Sequence, residues 1–310
     1  METLAVVVEE PGRVALRRLG MAPAEGDDLV VAVEFSGISM GTEKLMFNGS
    51  MPAFPGMGYP LVPGYEAVGR VVDAGPEGKG RIGEQVFVPG SSKFIGARGL
   101  FGGSAQTLIT GSQRVLSIPE GMGENAVLMS LAATAQHALV GGELPDLIIG
   151  HGVLGRLLAR MAVAQGQSPT VWEINDSRMD GADGYKVVHH EADDRRDYRS
   201  IYDASGDSDI LDLALSRMGP GGEVVLAGFY SEPLHFQFAP AFRREARFRI
   251  ATEFKPADLA AVFDMIGTGK LSLDGLVTNR VPATEAPTAY GQAFSDPSCL
   301  KMVFDWRHVA

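Results

Sequence analysis

The sequence predicts an α/β chain of two domains: a small, closed or strongly coiled β domain, and a parallel sheet covered by helices. Three observations lead there. The first 120 residues hold short Val- and Ile-rich runs punctuated by Gly and Pro. From Leu147 onward, apolar strands alternate with helical stretches. At the first strand-to-helix junction stands Gly150-His151-Gly152-Val153-Leu154-Gly155, a G-x-G-x-x-G. A length of 310 residues suits two domains of roughly 150 residues each.

The runs Leu4–Val8, Leu29–Phe35, Glu66–Val72, Gln85–Val88 and Ala105–Ile109 read as strands, with turns at Pro11-Gly12, Pro60, Pro63-Gly64, Gly75-Pro76 and Pro89-Gly90. Asn125–Val140 reads as a helix ended by Gly141-Gly142. Leu147–Ile149 is a strand, and Arg156–Gln165 a helix closed by Gly166. Strands follow at Thr170–Ile174 and Ile201–Ala204, then a helix over Asp209–Met218, stopped by Gly219-Pro220-Gly221-Gly222, and a strand over Glu223–Ala227. This alternation implies parallel βαβ units. Pro256–Ile266 is an amphipathic helix, Ala286–Phe294 a shorter one, and Met302–Trp306 a last strand. The charged run His190–Asp197 reads as a solvated loop.

Composition bounds the function. Hydrophobic residues are 45% and charged residues 21%, as in ordinary globular proteins. A formal charge of -11 argues against a general nucleic-acid binder. A single cysteine, Cys299, rules out an internal disulfide framework and any multi-cysteine metal site. The amino terminus lacks the pattern of a signal peptide. Leu4–Val8 is too short to span a membrane, and Gln136 and His137 interrupt the apolar stretch Ala126–Val140. The expected location is the cytoplasm, with membrane-surface contact left open.

The glycine motif carries specific physics. Gly150 permits a sharp turn, Gly152 clears space for a pyrophosphate, and Gly155 lets helix and strand pack closely. Free amides at the start of the helix, from Val153 and Leu154 onward, face the phosphates. Glu173 ends the next strand, at the distance expected of a carboxylate that accepts ribose hydroxyls. It would repel a 2′-phosphate, so NAD is expected rather than NADP. Arg178 weakens that preference, because it could stack on adenine or pair with a phosphate. Ala204-Ser205-Gly206 and Ala227-Gly228-Phe229 follow two later strands and should lie along the ligand-binding carboxyl edge, near the nicotinamide half.

Together these features resemble the medium-chain dehydrogenase/reductase superfamily. The residues that carry the likeness are Pro63–Gly69, Gly83–Val86, Ala133–Leu139, the glycine loop, Asp203–Gly206 and Gly221–Phe229. The resemblance implies a GroES-like β domain from residues 1–121 and 280–310, a central Rossmann domain from 122–279, and an active site in the cleft between them. It also implies Thr134 as a cofactor contact, and a homodimer joined near Phe229–Ile250. Ser36–Glu43 and Lys44–Gly49 narrow the likeness to a family that oxidises the C3 1-hydroxyethyl group of a chlorin or bacteriochlorin to acetyl with NAD.

Zinc-dependent relatives place two cysteines and a histidine around the metal. Here those places fall on Ser39 or Met40, Tyr65 and Ser130, none of which is a good zinc ligand, and the four-cysteine structural lobe is missing. Neither catalytic nor structural zinc is expected. Another group must then take the hydroxyl proton. Tyr65 is the first candidate, but a phenol needs a lowered pKa or a relay to act as base. Ser39 and Thr42 could pass a proton or merely cap a turn, and Glu66 could tune Tyr65 or form a buried pair. His137 could relay a proton or serve the core, and His151 could contact the cofactor or lie exposed. Lys93 is a weaker candidate for a substrate carboxylate.

Two apolar segments could accept a flat macrocycle or cover ordinary cores: Met40, Met46, Phe47, Met51, Phe54, Met57 and Tyr59, then Phe229, Tyr230, Phe236, Phe238 and Phe242. The cluster Arg243, Arg244, Arg247 and Arg249 could attract a propionate or be a solvated face. Competing functions are a zinc-free quinone or enone reductase, which would favour NADPH, and a pigment carrier without turnover.

Overall fold

The computed structural model describes residues 1–53 and 55–309, so Phe54 lies outside the described residues. The chain divides into two compact units, Met1–Ser130 with Leu276 onward, and Leu131–Gly275. Along the first unit run β1 (Glu2–Glu10), β2 (Arg13–Met21), β3 (Asp28–Ile38), α1 (Thr42–Asn48), β4 (Ala67–Ala74), β5 (Gln85–Val88), β6 (Phe94–Ile95), β7 (Thr107–Gly111) and β8 (Leu116–Ser117). Helix α2 (Met129–Leu139) leads into the second unit. There follow β9 (Leu147–Ile149), α3 (Val153–Ala164), β10 (Thr170–Trp172), β11 (Lys186–Val188), β12 (Tyr198–Asp203), α4 (Ile210–Arg217), β13 (Met218–Leu226), α5 (Phe238–Arg244), β14 (Arg247–Ile250) and α6 (Pro256–Gly267). The chain returns to the first unit as β15 (Asn279–Pro282), α7 (Ala286–Ser295) and β16 (Met302–Asp305).

The first unit is mostly antiparallel. One sheet runs β15-β16-β3-β4-β5-β8, with β7 also paired to β3, and a smaller one runs β1-β2-β6. Buried runs of β1 and β3, such as Ala5–Val8 and Leu29–Val31, enter one core with residues of β4 and with Phe304 and Trp306 from the returning chain. The second unit holds one sheet in the order β11-β10-β9-β12-β13-β14, every pair of it parallel. Its core gathers Leu147, Ile149, Trp172, Ile201, Leu211 and Val224. Each fully buried aliphatic side chain of this kind is worth about 1.5–3 kcal/mol. The α/β class and the two architectures follow the sequence reading.

Several particulars differ from it. Residues 122–130, read as part of the nucleotide domain, fall in the first unit, because the helical turn Gly123–Leu128 packs on β3 and β4. Residues 276–279 join them, since β15 pairs with β16. The run 190–197 is not simply solvated. Buried Asp193 accepts the Trp172 indole N–H at 2.7 Å, the Tyr198 hydroxyl at 2.7 Å and the Arg195 amide at 3.0 Å. Gly219–Gly222, read as the stop of the helix, lies within β13, which starts at Met218 directly after α4 ends at Arg217.

The methionine-rich stretch after Ser39 largely serves the core. Met46 is fully buried, and the Phe47 ring packs against Tyr290 and Phe294 at 6.1 and 5.6 Å. Met40, Met51, Met57 and Tyr59 are partly buried against the same cluster. Lys93 pairs with Asp28 at 2.8 Å instead of standing free for a substrate. The arginine cluster is largely committed to its own unit. Arg244 donates to the Met218 carbonyl, Arg247 to that of Gly221, and Arg249 to that of Ala138 and to Glu223.

Candidate active site

In the second unit, the glycine loop follows β9 directly. Gly150 has φ +96°, a left-handed conformation that favours glycine, and its amide donates to the Trp172 carbonyl at 2.8 Å. A Cβ on Gly155 would lie 1.8 Å from the Gly150 carbonyl oxygen, so helix and loop meet there with no room for a side chain. A Cβ on Gly152 would meet nothing within 4 Å, so the loop is open on that side. Gly152 is the N-cap of α3. The first amides of a helix have no intrahelical partner, so those of Val153, Leu154 and Gly155 are available to an anion. This cradle fits a pyrophosphate. Gly155→Ala is expected to abolish detectable dinucleotide binding in a fluorescence titration; wild-type affinity would show that the close approach is dispensable.

Glu173 is buried and well held. Its Oε2 accepts the His151 amide at 2.9 Å, and its Oε1 accepts the Ile174 and Asn175 amides, each at 2.8 Å. A carboxylate has about four acceptor directions, which leaves one for a ribose hydroxyl. His151 does not behave as expected. It is fully buried, with Nδ1 at 2.6 Å from the Arg178 carbonyl and Nε2 at 2.8 Å from the Tyr185 hydroxyl. The carbonyl can only accept, so Nδ1 carries the proton and Nε2 accepts from Tyr185. Burial pushes its pKa down to about 4, so the ring is neutral and braces the loop from within. Arg156 joins the brace by donating to the His151 and Arg178 carbonyls at 3.0 and 3.1 Å.

The later turns adjoin this loop. A Cβ on Gly150 would come within 3.2 Å of Ser205, and the Ala204 amide donates to the Ile149 carbonyl at 2.9 Å. The Ala227 and Gly228 amides both donate to the Asp203 carbonyl, at 2.9 and 3.0 Å. Gly206 has φ +72°, and Phe229 is 44% exposed. Thr134 lies half-buried on α2. His137 is committed elsewhere. Its Nδ1 lies 2.8 Å from Asp258 Oδ2, which also accepts the Lys255 amide at the start of α6. That ring ties α2 to α6.

In the first unit, the places that hold zinc ligands in relatives come together as hydroxyls. Ser39 Oγ and Tyr65 Oη are 2.7 Å apart. Thr42, the first residue of α1, lies close enough to the Tyr65 hydroxyl to oppose the rise of its pKa. Ser130 Oγ donates to the Tyr65 carbonyl at 3.1 Å. Burial, then the negative charge of Glu66, pushes the Tyr65 phenol well above its usual value. A lowered phenol pKa is therefore not available to Tyr65, which stands as a neutral hydroxyl bonded to Ser39. Among the described residues, no three His, Cys, Asp or Glu side chains gather in a way that could hold a metal.

Glu66 is a buried pair. Lys301 Nζ donates to its Oε2 at 2.7 Å and its Oε1 at 3.0 Å, and to the Ile38 carbonyl at 3.1 Å. Both side chains are fully buried. Glu43, fully buried beside them, accepts the Ser39 amide at 2.9 Å and the Tyr290 hydroxyl. Sequence reasoning missed Glu43, Tyr290 and Lys301 as site residues. Lys301 did leave a signal, as a lone cation in the apolar run Cys299-Leu300-Lys301-Met302-Val303-Phe304.

Burial, opposed by the bonds from Tyr290 and Ser39, raises the Glu43 pKa from 4.5 to about 7. The folded state therefore binds an extra proton between those values, and stability falls as pH rises through that window. Glu43→Gln, which mimics the neutral acid, is expected to flatten the fall in melting temperature across this range. Equal slopes for the two proteins would contradict it.

The alcohol dehydrogenase GroES-like domain family matches residues 25–120. The chain is 53% identical to the 2-desacetyl-2-hydroxyethyl bacteriochlorophyllide A dehydrogenase of Rhodobacter capsulatus, over 99% of each chain. It is 51% identical to the protein of the same name from Cereibacter sphaeroides, over 100% of both. The fold is similar to that of an Escherichia coli alcohol dehydrogenase complexed with NADH, with a TM-score of 0.83 and 19% identity, covering 98% of this chain and 99% of that one. With near-complete overlap and more than half its residues shared, the chain belongs to the family of the 2-desacetyl-2-hydroxyethyl bacteriochlorophyllide A dehydrogenases, within the medium-chain dehydrogenase/reductase superfamily.

Proposed function

We infer that the chain oxidises the C3 1-hydroxyethyl group of a chlorophyllide or bacteriochlorophyllide to acetyl, with NAD. The observation that carries this reading is the full-length likeness to the Rhodobacter capsulatus enzyme. NAD, when bound, accepts the hydride from the carbinol carbon. The glycine-loop amides hold the pyrophosphate, and Gly152 leaves it room. Glu173 takes a ribose hydroxyl on its remaining acceptor direction and disfavours a 2′-phosphate by like charge. The hydroxyl proton of the alcohol passes to the Ser39–Tyr65–Thr42 set. Each hydroxyl that accepts a proton releases its own to the next, and the last one releases it to solvent water, so the H+ set free with each hydride transferred leaves the site and no hydroxyl stays charged. Serine and tyrosine hydroxyls are poor zinc ligands, and the step is assigned to them without zinc.

The substrate is a flat, apolar tetrapyrrole. Phe236, Phe238 and Phe242, at 44%, 71% and 69% exposure, suit either such a partner or a second copy of the chain. Edge strand β14 exposes Ile250 and, in part, Phe248, which supports a homodimer joined along that edge. Among the described residues, no helix is long and apolar enough to cross a membrane. The single cysteine is buried and leaves no intrachain disulfide to form, which suits a reducing cytoplasm.

The test is anaerobic turnover of the hydroxyethyl pigment in detergent, with each dinucleotide. The expected result is NADH formation together with an absorption shift to the acetyl product, and far slower reaction with NADP. No spectral change with either dinucleotide rejects the assignment. Quinone reduction that requires NADPH would replace it with the reductase reading.

A further inference from the structure

The three turns at the carboxyl edge of the second unit's sheet form one continuous wall. Gly150 abuts Ser205, as described above. Gly206 abuts the turn after β13, where an added Cβ would lie 3.1 Å from the Phe229 carbonyl oxygen. In return, a Cβ on Gly228 would lie 3.0 Å from the Gly206 amide nitrogen and 3.4 Å from the Tyr230 hydroxyl. The last two turns thus meet through glycines, too closely for a side chain at either to fit without a shift.

Asp203 stands beneath that junction at the end of β12, fully buried. Its Oδ1 accepts the Ser205 amide at 3.0 Å and the Ser205 hydroxyl at 2.6 Å. Its Oδ2 accepts the Tyr230 hydroxyl. Its carbonyl takes the amides of Ala227 and Gly228. One residue therefore grips both turns with side chain and backbone. Tyr230 is the only one of these contacts made from beyond the Gly228 turn. It fastens the start of the segment that carries the exposed rings of Phe229 and Phe236.

We propose that the Tyr230–Asp203 hydrogen bond is a latch that positions the turn 227–229 for the nicotinamide half of the dinucleotide. This rests on the proposed function and adds two positioning residues to it. The adenine half belongs to the glycine loop and Glu173, which the latch does not touch. Loss of the latch should therefore be felt by one half of the cofactor only.

Tyr230→Phe keeps the ring and removes the bond. Binding of NAD and of ADP-ribose, which lacks the nicotinamide ring, is measured by calorimetry on wild type and variant. The expected result is NAD binding weakened by about tenfold, the size of one hydrogen bond to a charged group, with ADP-ribose binding unchanged; the melting temperature falls in the variant, since buried Asp203 loses one donor. Unchanged NAD affinity, or equal weakening of both ligands, overturns the latch. If wild type binds neither ligand, the dinucleotide reading itself fails, and the latch with it.

Discussion

Lys301→Met is expected to lower folding stability by about 3–5 kcal/mol, because it strands the Glu66 carboxylate in the core. Both partners are fully buried, and all three donors of Lys301 are used, two on Glu66 and one on the Ile38 carbonyl. Without the ammonium, burial alone governs Glu66, whose pKa it already raises against the opposing pull of Lys301. Space for rearrangement is short, since a Cβ on the neighbouring Gly37 would lie 2.2 Å from Glu66 Oε2. Adding Glu66→Gln to Lys301→Met is expected to recover much of the loss, because the charge goes with its partner. Denaturant unfolding of the two variants measures this. A single variant as stable as wild type would show that the pair is not what holds β16 to the segment before β4.

Tyr65→Phe is expected to slow turnover by about 10²–10⁴-fold, the range for loss of a general acid–base group. Ser39→Ala should do the same, since the two hydroxyls share one 2.7 Å bond. The ring of Tyr65 packs edge-on against Phe101 at 5.2 Å, and phenylalanine keeps that contact. Dinucleotide affinity should stay as in wild type, since the glycine loop lies in the other unit. Wild-type turnover in both variants, in a chemistry-limited assay, would remove the proton from these hydroxyls.

The fold was legible where the pattern is local. The G-x-G-x-x-G at a strand–helix junction and the βαβ alternation lead directly to the parallel sheet. β2 was missed because its exposed positions carry Arg13, Arg17 and Arg18, which hide the apolar alternation. α1 was missed because it is short and bounded by Gly41 and Gly49, which read as loop. The site was legible in part. Tyr65 and Ser39 stood out as substitutions at ligand places, and the structure brings them into contact. Their support comes from far along the chain. Tyr290 and Lys301 reach Glu43 and Glu66 across 247 and 235 positions, a separation over which no local spacing gives a signal. For His137 and His151 the sequence left more than one role open. Both are chemically able side chains held by partners in their own unit, His137 through Nδ1 on Asp258 and His151 through both ring nitrogens.

The decisive measurement is zinc content set against turnover. The purified chain is assayed with hydroxyethyl bacteriochlorophyllide and NAD before and after exhaustive chelation, with metal counted in each sample. Oxidation to the acetyl pigment at an unchanged rate, with zinc far below one per chain, is the expected result. Activity that disappears with a stoichiometric metal and returns with it would contradict a site built from the hydroxyls of Ser39, Thr42 and Tyr65.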